Sequence, residues 1–140
     1  MGFGKKTLAV MLFALCAVAQ SNMTFKTRLS PVALDAAMKV NVAGAGSVSA
    51  TLSGTKLVIS GTFDGLRSPA TEAQVRQGSA AGVRGAAILD LNVSKAMSGN
   101  VSGSFDLAAE QVDSLKKGKW YVQIDSEKAP QGNLWGWLLK

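Results

Sequence analysis

Apolar and polar residues alternate one for one along successive short stretches of this chain, and a period of two suits only strands with one face buried. Between Met23 and Leu29, the apolar Met23, Phe25 and Leu29 are out of phase with Thr24, Lys26 and Arg28. From Ser47 to Ser53, Val48, Ala50 and Leu52 alternate with Ser47, Ser49 and Thr51. Ser53-Gly54-Thr55 then reads as a tight turn, and Leu57, Ile59 and Phe63 carry the inward face onward, so the two stretches are expected to form a hairpin. Further strands are expected over Glu72–Arg76, Ala86–Val93, Gly99–Phe105, Trp120–Asp125 and Asn133–Leu139, separated by Gly/Ser-rich or Pro-containing connections. About eight short strands at this spacing predict an all-β sandwich or barrel.

One segment breaks the pattern. Ala108, Val112 and Leu115 recur at helical spacing, Asp106 precedes them as a candidate N-cap, and Gly118 follows as a stop. A short helix over Leu107–Lys117, plugging one end of the β structure, is the expectation. The even Gly, Ser, Ala and Val texture, without an internal repeat or low-complexity tract, predicts a single domain.

The N-terminus has a different character. Lys5 and Lys6 precede the nearly unbroken apolar run Thr7–Ala19, which ends in Ala17-Val18-Ala19, the small residues that a signal peptidase requires. The run is too short for a ~30 Å hydrocarbon core, which takes roughly 20 residues. Cys16 raises the alternative of a lipidated cysteine, but Leu15 stands where lipoprotein signals carry Gly, Ala or Ser. Residues 1–19 are therefore expected to be a signal peptide cleaved between Ala19 and Gln20, leaving residues 20–140 as one secreted domain, periplasmic or extracellular. No second apolar stretch of membrane length follows.

Removing that segment takes away Cys16, the one cysteine, and the chain has no histidine. A mature domain from Gln20 onward then has no disulfide, no thiol nucleophile, no thiolate ligand and no imidazole base or metal ligand. The many serines have no histidine to activate them. Asp125 and Glu127 could pair for glycoside hydrolysis only if both lay on one strand, and Glu127 already falls in the loop before Pro130. Asp90, Asp106 and Asp113 could offer oxygen to Ca²⁺, but their spacing matches no calcium loop and suits surface acids. No catalytic residue, metal or cofactor is expected. The net charge of +6 falls to +4 without Lys5 and Lys6. The basic residues are scattered, and the densest run, Lys116, Lys117 and Lys119, suits a solvated helix end rather than a nucleic-acid partner. Asn22-Met23-Thr24, Asn92-Val93-Ser94 and Asn100-Val101-Ser102 are formal glycosylation sequons, of a kind that arises by chance in Ser/Thr-rich sequence.

Several strings nevertheless occur in a familiar order. Leu107-Ala108-Ala109-Glu110-Gln111-Val112, Leu115 and Gly118-Lys119-Trp120-Tyr121-Val122-Gln123-Ile124 resemble the late segment of CHRD domains, the repeat first described in chordin. Pro130-Gln131-Gly132-Asn133-Leu134-Trp135-Gly136 is similar to that family's closing motif, and Ala73-Gln74-Val75-Arg76-Gln77-Gly78 to its Ala-His-Ile-His segment. Gly82-Val83-Arg84-Gly85 and Ala86–Leu91 match the following loop and strand. The likeness covers about Phe25 to Leu138. It implies an immunoglobulin-like or Greek-key β-barrel, and a stand-alone secreted member of bacterial type with no assigned activity.

The chain departs from the family at four positions, and if the family's histidines there bind a metal in some members, this chain cannot do so in the same way. Positions commonly His, His, His and Arg are here Gln74, Arg76, Asp125 and Trp135. Alternation puts Gln74 and Arg76 on one face of their strand. It puts Tyr121, Gln123 and Asp125 together on theirs, and Trp135 with Trp137 on a third. The resemblance implies that these faces adjoin, where Arg76 could pair with Asp125 and stack on Trp135; the alternative is that these are surface residues on separate strands. Two readings follow: a non-enzymatic structural or interaction module whose partner is another envelope or extracellular protein, or a carbohydrate-binding domain that uses these seven side chains. Flat aromatic faces beside amide and charged groups suit sugars, and core packing or edge covering is the alternative, favoured account of the tryptophans.

Overall fold

The computed structural model of the protein describes residues 22–33 and 35–140. Cleavage between Ala19 and Gln20 lies outside those residues. Eight antiparallel strands follow in order: β1 (Asn22–Leu29), β2 (Ala45–Ser53), β3 (Lys56–Asp64), β4 (Ala70–Gln77), β5 (Ala86–Val93), β6 (Gly99–Asp106), β7 (Trp120–Ser126) and β8 (Leu134–Trp137). A short helix, α1 (Ala109–Lys116), connects β6 to β7. A 3-10 segment, Ala36–Val40, which strand periodicity gives no hint of, lies between β1 and β2; Asp35 caps it by accepting the Met38 N–H at 3.0 Å.

The spatial order is β1-β2-β3-β6-β5-β4-β7-β8. β4, β5 and β6 form a meander, with β3 beside β6 and β7 beside β4, so the three are shared by two interlocked Greek keys. The sheet curls into a nearly closed barrel. Its last gap is bridged where Lys26 meets Leu139 and Ser30 meets Trp135. The seam between β5 and β6 is short, paired only at Asn92–Ser102 and Val93–Val101.

The expected inward residues do face inward. Phe25, Leu29, Val48, Ala50, Leu52, Leu57, Ile59 and Phe63 join Val75, Trp120, Val122, Ile124 and Leu134 in one buried cluster. Burial of each large member contributes roughly 1.5–3 kcal/mol. The β2–β3 hairpin turns at Gly54-Thr55, with Ser53 opposite Lys56 and Gly54 at φ 63. Gly54 holds the first central position, the one at which a type II′ turn needs positive φ.

The helix differs from expectation at its start. Asp106 is the last residue of β6, opposite Lys56, and caps nothing. Leu107 turns into the core instead, with its N–H on the Thr55 carbonyl at 2.8 Å. Ala108 stands at the cap, and its N–H is held by Gln111 Oε1 at 2.9 Å, one half of a capping box. The apolar face narrows to Leu115, fully buried, and the half-buried Val112, because Ala108 is exposed. Gly118 follows the helix at φ 75. At the C-terminal end β8 is shorter than the expected Asn133–Leu139. Asn133 is buried before it, accepting from Ser126 Oγ at 2.9 Å and donating to the Ala43 carbonyl at 2.7 Å.

Candidate functional site

The outward faces of β4, β7 and β8 adjoin, as alternation and the family likeness imply. Gln74 lies opposite Gln123, and Gln123 opposite Trp135. Arg76 lies opposite Tyr121, and Tyr121 opposite Trp137. Outward strand positions on a small barrel are normally wet, yet here Gln123 is 1 % exposed, Gln74 and Asp125 5 % and Trp135 7 %.

Two loops cover them. The β4–β5 loop lays Gly85 against Tyr121, whose hydroxyl accepts the Gly85 N–H at 3.0 Å and donates to the Gly85 carbonyl at 3.1 Å. Arg76 Nη1 donates to the same carbonyl at 2.9 Å. The β7–β8 loop brings the Gln131 carbonyl to Gln123 Nε2 at 3.3 Å. Within that loop Gly132 adopts φ 129, and a Cβ there would sit 2.2 Å from Trp135 Cζ2. Only glycine allows the loop to lie this close to the indole.

Under the loops the polar groups satisfy one another. Gln123 Nε2 donates to Asp125 Oδ1 at 2.7 Å, and Gln74 Nε2 donates to Asp125 Oδ2 at 3.0 Å. Gln123 Oε1 accepts from the Trp135 indole at 2.7 Å. Gln74 Oε1 accepts from Arg76 Nε at 3.3 Å. Each amide is thereby fixed in orientation, with its oxygen on a cationic or indole donor and its nitrogen on the carboxylate. Among the described residues no buried side-chain N or O lacks a partner.

The expected pairing of Arg76 is not what forms. Gln74 stands between Arg76 and Asp125, and the cation over Trp135 is Arg84, with its guanidinium carbon 4.9 Å from the ring centroid. Arg84 Nη2 also reaches Gln123 Oε1 and the Gln131 carbonyl, each at 3.5 Å. In the sequence Arg84 falls in a loop, where alternation gives no side-chain direction. Its one signal is a lone arginine between glycines.

Above this layer lies a cleft of about 180 Å³ lined by Val32, Gly82, Arg84, Tyr121, Trp135 and Trp137. The Tyr121 and Trp137 rings meet at 4.5 Å between centroids, tilted by 40°. Of the three aromatics only Trp137 is appreciably exposed. The seven anticipated residues therefore divide. Gln74, Gln123 and Asp125 form a buried polar layer, Arg76 and Tyr121 clamp a loop, and Trp135 and Trp137 wall the cleft with Arg84 at its rim. Glu127 lies beyond β7 and is exposed, so it makes no pair with the buried Asp125. Asp113 is bonded to Lys117 at 2.9 Å, and this lysine holds its carboxyl below the usual range. Among the described residues no three His, Cys, Asp or Glu side chains converge, and no helix is long and apolar enough to cross a membrane.

The family model of the CHRD domain matches residues 25–138, nearly the whole chain. No curated protein and no solved structure matches it.

Proposed function

The chain belongs to the CHRD domain family, a β-domain module, and on that premise we propose that it is exported and acts without chemistry, by binding through its outer surface. The carrying observation is the closed polar layer. Catalysis needs a proton-transfer group within reach of a substrate. Here Asp125 is covered, and each of its oxygens already accepts an amide donor, at 2.7 and 3.0 Å. The signal-like start, Lys5-Lys6 with the apolar run to Ala19, supports export.

The aromatic cleft favours a sharper reading, in which the ligand is a carbohydrate. Trp137 offers a partly open ring, Tyr121 packs against it, Trp135 lines the same cleft, and Arg84 supplies N–H donors at the rim. Apolar walls with a few fixed polar groups are the usual composition of a small-ligand site. A glycan array probed with the wild-type domain and with Trp137→Ala tests this. Binding to a defined glycan class that the variant loses is expected. Binding to no glycan, or equal binding by the variant, would refute the cleft as a sugar site.

A further inference from the structure

The cleft does not end at Trp137. The bridges Lys26–Leu139 and Ser30–Trp135 set the register across the closing gap, and that register puts Arg28 opposite Trp137. Arg28 in turn is opposite Ser47, Ser47 opposite Thr62, and Thr62 opposite Asn100. These positions share the outward face. One row thus runs from Trp137 on β8 through a guanidinium and two hydroxyls to an amide on β6, over roughly 19 Å at the usual interstrand spacing of about 4.8 Å. Two residues along, a parallel row runs Lys26, Ser49, Ser60, Ser102.

Between the rows lies an open groove of about 550 Å³, bordered by Lys26 and Arg28 and by the hydroxyls of Ser47, Ser49, Ser60 and Thr62, with no carboxylate in its lining. Lys26 and Arg28 are exposed and have no ion pair among the described residues, and none of the four hydroxyls is engaged by another side chain or by the backbone. The charge in the groove is of one sign, and apart from Thr27, whose hydroxyl donates to the Arg28 carbonyl at 3.3 Å, its hydroxyls are uncommitted.

We propose that this track binds an extended acidic polysaccharide, with a sugar ring against Trp137 and uronate carboxylates on Arg28 and Lys26; this rests on the carbohydrate reading of the cleft and specifies its ligand. A planar guanidinium takes a carboxylate through two parallel N–H bonds, and lysine adds a point charge. Ser and Thr hydroxyls both donate and accept, as sugar hydroxyls require. The outward positions of β1, β2 and β3 carry no aromatic side chain, so nucleic-acid bases have nothing to stack on along the groove.

The test is calorimetric titration of the domain with an oligogalacturonate, with the same oligomer after carboxyl reduction, and with an oligothymidylate of equal charge. The acidic oligomer is expected to bind more tightly than the reduced one by roughly tenfold, with an affinity that falls as salt rises. The double variant Lys26→Ala/Arg28→Ala should abolish that preference, and Trp137→Ala should weaken both oligomers alike. Both cations are exposed, so an unchanged melting temperature confirms that the double variant is folded. Equal affinity for the two oligomers, or an unaffected double variant, overturns the acidic track and leaves the cleft reading standing. Binding of neither oligomer overturns the acidic track, while the cleft reading falls only if the glycan array is also empty. Oligothymidylate bound as tightly as the uronate overturns the glycan assignment.

Discussion

Gln123 is the junction of the buried polar layer, and its replacement tests whether that layer holds the site together. Its oxygen takes the Trp135 indole N–H at 2.7 Å and its nitrogen serves Asp125 at 2.7 Å, at a position 1 % exposed. Gln123→Leu preserves bulk and removes these two bonds, together with the longer ones to the Gln131 carbonyl at 3.3 Å and Arg84 at 3.5 Å. A buried indole N–H without a partner costs about 1–3 kcal/mol, and a carboxylate that loses one of two amide donors costs roughly 1.5–3 kcal/mol. The added apolar burial returns about 1–2 kcal/mol. A net loss of about 2–4 kcal/mol is expected, or roughly 8–16 °C in melting temperature for a domain of this size. Gln123→Glu tests the orientation of the amide. The new carboxyl keeps the acceptor for Trp135 but turns a second oxygen on Asp125, so the pair must share a proton. Its folded pKa is then raised above the unfolded value, and the stability is present at low pH and lost as pH rises through the folded pKa. Thermal denaturation at pH 4 and pH 7, followed by near-ultraviolet circular dichroism of the tryptophans, reads both. Gln123→Leu within about 0.5 kcal/mol of wild type, or Gln123→Glu no less stable at pH 7 than at pH 4, would show that the network is not what holds the site.

Intact-mass analysis of the exported protein should give a chain that begins at Gln20, and Met1 on the exported form would exclude cleavage. With Cys16 gone and no histidine, neither reductant nor chelator should move the melting temperature; a chelator-induced drop reversed by a divalent ion would reveal an oxygen-ligand site. Asp113 should titrate at lower pH in wild type than in Lys117→Ala, as read by carboxyl-carbon NMR. The sign follows from its lowered pKa: any stability it adds is present above its unfolded pKa and fades as pH falls. Gly132→Ala should displace the Trp135 ring, seen as altered tryptophan fluorescence, because the new methyl would overlap Cζ2.

Much of the barrel is legible because a strand repeats its instruction every second residue. A few apolar positions such as Val48, Ala50 and Leu52 fix both the element and its buried face. Where the expectation slipped, a single local contact decided the outcome. Asp106 has the chemistry of a cap, but pairing with Lys56 keeps it in β6, and Leu107 is worth more in the core than in a first helical turn. Asn133 reads as the start of a strand, yet its side chain bonds across to Ala43, which no local pattern encodes.

The site was legible in its strand residues and not in its lid. Alternation aligns Gln74, Gln123 and Trp135, but whether outward residues are wet depends on what lies over them, and the covering loops have no period. That is why the cation on Trp135 is Arg84 rather than Arg76. The layer beneath also couples the residues at these positions to one another. The nitrogens of Gln74 and Gln123 both serve Asp125, and their oxygens serve Arg76 and Trp135. Replacing Asp125 alone would leave a neighbouring amide short of an acceptor at buried positions. Asp125→His, for example, would offer at most one ring acceptor to the two amide donors of Gln74 and Gln123, and none when the imidazole was protonated. The residues at these positions are therefore interdependent, and the chemistry of the site is set by the group rather than by any one of its members.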